Sequence, residues 1–235
     1  VVRDYIRHDS LDFATQFGTQ PILPLLTRAW TLQEHLLATK IVHFMPAEVV
    51  WECRSSIKCE CGDFQDPSGP AIYTGPGKRF KSKYHEIARW GSRSERLKFW
   101  AGISIHYSAR KITFPSDRLP ALSSIARHFD RPGILGRYLA GLWEESLPRS
   151  LLWWSFYSPE ESKDKRTHWR DLTYSAPTWS WLSIEGRVTF PGFETESTLA
   201  ATVLRVSYTL ETNDLYGPVS NATLRVSGVM VEVHI

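Results

Sequence analysis

Arg28-Ala29-Trp30-Thr31-Leu32-Gln33-Glu34-His35-Leu36-Leu37 is the stretch on which the reading of this chain turns. Wound as a helix, Leu25, Ala29, Leu32 and Leu36 fall at i, i+4, i+7 and i+11 and form one apolar stripe. Trp30, Gln33, Glu34 and Leu37 fall on the adjacent face, so a large aromatic, an amide and a carboxylate share one turn. Glu34 then has two readings. Thr31-Leu32-Gln33-Glu34 has the spacing of a capping box, in which Glu34 reaches back to the Thr31 backbone N–H and is structural. Alternatively, a carboxylate grouped with an aromatic beside a buried stripe is a functional grouping.

Around this helix the pattern alternates between helix and strand. Pro21 and Pro24 bring the chain to it, as proline is tolerated in a first turn. Two β-rich runs follow, Lys40–Phe44 and Glu48–Cys53, separated by Pro46-Ala47, and suit a hairpin. Residues 54–86 are rich in proline and glycine and predict a loop. The Lys78, Arg79, Lys81 and Lys83 cluster within them predicts a solvated charge run. Helices are predicted over 92–109, with Leu97, Trp100, Ile103 and Tyr107 inward, and from Ser116 or Asp117 to Pro132-Gly133. In the second of these, Pro120 sits in the first turn and Leu119, Leu122, Ile125, Ala126 and Phe129 form the buried face. A third helix is predicted over 134–146, and Leu147–Trp154 is apolar enough to be buried. Beyond Ser175 the period becomes 2, predicting a strand over Trp179–Ile184 and further strands over Ala200–Tyr208 and Ala222–Val233.

Composition sets bounds. A content of 42% hydrophobic and 23% charged residues is ordinary for a folded domain. Ten tryptophans predict a core built on aromatic contacts. A net charge of +3 gives no nucleic-acid footprint, and no apolar run reaches membrane-spanning length. Three cysteines, an odd number, argue against a disulfide framework and suit a reducing compartment. Cys53, Cys59 and Cys61, with His43 nearby, have C-x5-C-x-C spacing rather than the paired spacing of zinc sites, so no metal is expected there. Trp179-Ser180-Trp181 has two readings: a platform that stacks a sugar or base, or core. Core is favoured.

Several blocks together carry a family resemblance: Arg28–Glu34 with Leu36-Leu37, Ile41-Val42-His43-Phe44, Trp51-Glu52-Cys53, Tyr107–Thr113, Ser116–Leu122, Tyr138–Trp143, Leu151-Leu152-Trp153 and Ala176–Trp181. In this order they resemble fungal HET (heterokaryon incompatibility) proteins, whose HET domain is distantly similar to TIR domains. The resemblance implies a fungal, cytoplasmic protein of innate immunity that triggers programmed cell death on non-self recognition. It implies partner proteins of non-self recognition and leaves room for a homo-oligomer, while charge and the lack of a long apolar run predict neither nucleic acid nor membrane as partner. The fold it implies is α+β: the C-terminal end of a TIR-like α/β core over residues 1–53, a loop-rich insertion over 54–86, a helical layer over 87–157 and a β-rich layer over 158–235. The spacing Trp30-x-x-x-Glu34 is similar to the Trp-x-x-x-Glu motif of TIR enzymes, whose glutamate lies against the ribose of NAD. Carried over, Glu34 is the catalytic residue, Trp30, Arg28 and Gln33 are binding residues, and NAD is substrate rather than cofactor. A placed carboxylate stabilises the oxocarbenium-like state of nicotinamide–ribose cleavage. The chain is expected to be the later portion of such a protein. By itself it is expected to cleave no NAD, since the nucleotide-contacting loops of a TIR-like site would precede Val1. A non-enzymatic recognition module acting by assembly is the alternative.

Overall fold

The computed structural model describes residues 24–44, 49–62, 80–155, 176–193 and 199–229. They form an α+β fold of four helices and nine short or long strands. Helix α1 (Ala29–Leu37) is followed by a three-stranded antiparallel sheet of β1 (Lys40–Phe44), β2 (Val49–Cys53) and β3 (Ile57–Cys59). Helices α2 (Phe80–Trp90), α3 (Arg93–Ser108) and α4 (Pro120–Phe129) make the helical layer. Three two-stranded ladders complete the fold: β4 (Tyr138–Leu139) with β5 (Leu142–Trp143), β6 (Trp154–Ser155) with β7 (Val188–Thr189), and β8 (Ala201–Leu210) with β9 (Val219–Gly228). One cluster of buried side chains runs from Ala29 on α1 to Val219 on β9, so these segments share a core.

Local chemistry accounts for the helices. Ser92 caps α3 through a full capping box: its hydroxyl accepts the Glu95 N–H, and the Glu95 carboxylate accepts the Ser92 N–H at 2.9 Å. Pro120 opens α4, where its missing N–H breaks no helical bond. The expected inward faces are buried: Trp100, Ile103 and Tyr107 on α3, and Leu119, Leu122, Ile125, Ala126 and Phe129 at α4. On α1, Ala29, Leu32 and Leu36 are buried, but Leu25 precedes the helix and stands exposed.

The expected loop over 54–86 ends early, because α2 begins at Phe80. Lys81, Tyr84 and Ile87 fall three residues apart on its buried side. Lys81 is therefore no solvated charge; it is 1% exposed and donates to the backbone carbonyl of His35. Its two neighbours Lys78 and Arg79 lie outside the described residues.

The expected helix over 134–146 is instead a hairpin. Tyr138 pairs with Trp143 and Leu139 with Leu142 around a two-residue loop, Ala140-Gly141. Both loop residues have positive φ, 47° and 93°, the sign that a type I′ turn requires and that a helix forbids. Tertiary bonds hold this turn. The Ala140 carbonyl accepts the Ser180 hydroxyl at 2.6 Å, and the Gly141 carbonyl accepts the indole N–H of both Trp100 (2.9 Å) and Trp181 (3.1 Å). A Cβ at Gly141 would stand 2.7 Å from Leu182 Cδ1, so the residue is glycine for space as well as for φ.

The expected strand over Trp179–Ile184 is also absent: Trp181–Ser183 is a single 3-10 turn, capped by the Ser180 hydroxyl. Trp181 nevertheless lies in the core, at 2% exposure. Alternation misled here because Ser180 and Ser183 spend their hydroxyls on backbone carbonyls rather than facing solvent. In Leu147–Trp154, Ser150 is buried, whereas Leu152 and Trp154 are exposed.

Candidate functional site

Helix α1 is docked by its first turn. The Ala29 N–H donates to the Lys111 carbonyl (2.9 Å) and the Lys111 N–H to the Thr27 carbonyl (2.6 Å), a parallel bridge that seats Arg28 beside the end of α3. The Arg110 guanidinium donates to the Leu26 carbonyl at 2.6 Å. Trp30 is half-buried, and its indole N–H donates to Asp117 Oδ2 at 3.1 Å.

The capping-box reading of Glu34 does not hold in this structure. The N-cap position is Arg28, which offers no side-chain cap. Thr31 lies inside the helix, with its hydroxyl on the Leu25 carbonyl (2.6 Å) and the Arg28 carbonyl (2.8 Å). The Glu34 side chain is exposed and makes no hydrogen bond or ion pair with a described residue. Gln33 is half-buried, and its amide oxygen is enclosed without a hydrogen-bond donor among the described residues. Arg28 is exposed. Trp30, Gln33 and Glu34 thus lie within about one turn of α1, with Arg28 at its N-cap, but Trp30 is engaged by the fold through Asp117.

A second constellation was not anticipated. His35 on α1, His43 on β1 and Glu52 on β2 converge, with both imidazole Nε2 atoms on Glu52 Oε2, at 2.8 Å and 2.9 Å. Register explains half of this. Ile41 pairs with Glu52 and His43 with Val50, so Glu52 and His43 are diagonal neighbours on one face of the hairpin. That face meets α1 one residue before Leu36. Side-chain exposure is 7% for His35, 10% for His43 and 6% for Glu52. The legible signal was a charged or basic residue interrupting each of two apolar strands, Ile41-Val42-His43-Phe44 and Val49-Val50-Trp51-Glu52; His43 was instead weighed with the cysteines. Cys53, Cys59 and Cys61 do not belong to this group.

Electrostatics sharpen the picture. Burial pushes the Glu52 carboxyl up, but the hydrogen bonds from His35 and His43 outweigh it and hold it at about 2. Burial holds His35 below the usual histidine range despite its contact with Glu52. An ionised carboxylate therefore faces a neutral His35 ring. Elsewhere, burial depresses His85 to about 4 and His106, packed edge-on to Phe80, to about 3.

These shifts share one sign. Each group is protonated at a higher pH in the unfolded chain than in the folded one, so the unfolded state binds more protons as pH falls, and stability falls with it. The histidine losses begin below about 6.5 and the Glu52 loss below about 4.5, ending near 2. His106 by itself is expected to contribute about 1.4 kcal/mol per pH unit at full effect. Urea midpoints measured from pH 7.5 to 4.5 are expected to drop steadily, and to drop less steeply in His106→Asn.

Compared with known proteins, the chain matches no family model, no curated protein and no solved structure. No described helix is long and apolar enough to cross a membrane.

Proposed function

We propose that this chain is part of a fungal, cytoplasmic HET-type incompatibility protein that triggers cell death on non-self recognition, and that Glu34 is the carboxylate through which it acts on NAD. Two things support this reading. Three of the sequence blocks that resemble HET proteins are bonded to one another: Arg28 bridges Lys111, Trp30 bonds Asp117, and the Tyr107 hydroxyl donates to the Arg118 carbonyl. The observation that carries the site is Glu34 itself, an exposed carboxylate without a described partner on a helix whose other side is fixed in the core. Its helix backbone is fixed by the core and no described residue neutralises its charge, which leaves a carboxylate available to stabilise a developing oxocarbenium ion.

The test is Glu34→Gln in the intact protein, with toxicity scored in a fungal cell. Because the side chain is exposed and makes no hydrogen bond or ion pair with a described residue, the change should alter stability by no more than about 0.5 kcal/mol. A folded, soluble, non-toxic variant is the expected result. Full toxicity in that variant would favour the second reading, a non-enzymatic module that acts by assembly with its partners or with itself. That reading draws on Trp30, whose ring is engaged by Asp117 rather than presented to a ligand.

A further inference from the structure

We propose that His35, His43 and Glu52 form a binding site for one divalent transition-metal ion, with zinc the best fit. Three donor atoms, two imidazole nitrogens and a carboxylate oxygen, come from three different elements and all lie within 4.8 Å of one another. The donor set of two histidines and one carboxylate is borderline in softness and suits zinc, with a fourth position left for water or another ligand. The geometry is near what an ion demands. With metal–ligand bonds of about 2.0–2.2 Å, the nitrogens and the oxygen would stand about 3.3 Å apart. The observed 2.8 Å and 2.9 Å separations need to open by only about half an ångström to admit it.

The placement is informative too. Both rings present the same atom, Nε2, to the same carboxylate oxygen, so the three donor atoms are already gathered in one place. Binding requires each ring in the Nδ1–H tautomer, which frees its Nε2 lone pair for an ion among the three donors without net loss of a proton. Val50 on β2 and Ile57 on β3 form a small buried apolar cluster on the same sheet. Lys81, the buried cation nearby, donates to the His35 carbonyl, while the two rings contact Glu52 Oε2. An ion here would clamp the β1–β2 hairpin to α1, the helix that carries Glu34.

The experiment uses the full chain, stripped with a chelator and titrated with Zn²⁺ and, as a spectroscopic probe, Co²⁺. One ion per chain is expected, with visible Co²⁺ ligand-field bands and no thiolate charge-transfer band. On Zn²⁺ addition, side-chain imidazole resonances of two of the eight histidines should shift. His43→Asn, at the most exposed of the three ligands, is expected to bind at least tenfold more weakly with its circular dichroism unchanged. A variant with Cys53, Cys59 and Cys61 all replaced by serine should bind as well as the parent. No binding by the parent would overturn the proposal. So would a thiolate band, loss of binding in the cysteine-free variant, or undiminished binding by His43→Asn. The histidine resonances keep the test decisive if His43→Asn does not fold.

Discussion

Replacing Trp181 with alanine is expected to lower the free energy of unfolding by about 3–5 kcal/mol, read as a fall in the urea midpoint at unchanged slope. The ring is 2% exposed and packs edge-on against Tyr107 (5.9 Å between centroids) and Phe190 (6.4 Å). Removing it leaves a cavity where α3, the Ala140-Gly141 turn and the Trp181–Ser183 turn meet, and those backbones are tied by other bonds and cannot collapse into it. The hydrogen-bond loss is the smaller part, because the Gly141 carbonyl keeps Trp100 as donor. Trp181→Phe, which keeps most of the apolar volume and forfeits the N–H bond, is accordingly expected to cost less than the alanine variant. Trp90 is the internal control: at 73% exposure, its alanine variant should shift stability by no more than about 0.5 kcal/mol. An unchanged midpoint in Trp181→Ala would place the ring at the surface and revive the idea that it stacks a ligand.

The parts of the fold that were legible in the sequence are those fixed by local rules. The α1 stripe, α3, α4 and the β8–β9 hairpin follow from periodicity and from caps that act within one turn. What was not legible was decided at a distance. Ala140-Gly141 is a poor match for the Asn-Gly or Asp-Gly signature of a hairpin, so apolar residues at helical spacing suggested a helix over 134–146. The turn exists because Ser180, Trp100 and Trp181, all remote in sequence, bond its two carbonyls. Lys81 was read as solvated because charge alone says nothing of which helix face a residue will occupy.

The candidate sites divide along the same line. Trp30 and Glu34 could be found because they sit one turn apart on one helix. The fold then separates them in character, tying the indole to Asp117 and leaving the carboxylate exposed. His35, Glu52 and His43 come from a helix and two strands; the β1–β2 register sets His43 beside Glu52, and the packing of α1 on that sheet adds His35. The cysteines, which looked like the metal candidates by residue type, lie outside that cluster.

Arg96→Met is expected to destabilise the chain by about 3 kcal/mol or more. Arg96 is fully buried in the middle of the helical layer, and its guanidinium donates to the carbonyls of Gly91 (2.9 Å), Phe129 (2.8 Å) and Ala88 (2.7 Å). These are not arbitrary acceptors. Ala88 lies in the last turn of α2, Gly91 directly follows that helix and Phe129 ends α4, and carbonyls at a helix C-terminus have no intrahelical donor. One side chain from α3 therefore caps two other helices, and its charge lies where both helix dipoles favour a cation. Burial and the nearby Arg131 depress the guanidinium, yet at a group that starts above 12 it stays ionised. Methionine conserves much of the volume, so the expected loss comes from stranded acceptors at about 1–3 kcal/mol each, reduced by whatever water and relaxation recover. Arg96→Lys retains the charge but not the planar fork that reaches three carbonyls, and is expected to fall between the two. Hydrogen exchange separates this account from a packing effect: in Arg96→Met, amide protection should fall first at the ends of α2 and α4 rather than uniformly. A variant with wild-type stability and protection would mean that the guanidinium does not cap these helices in solution.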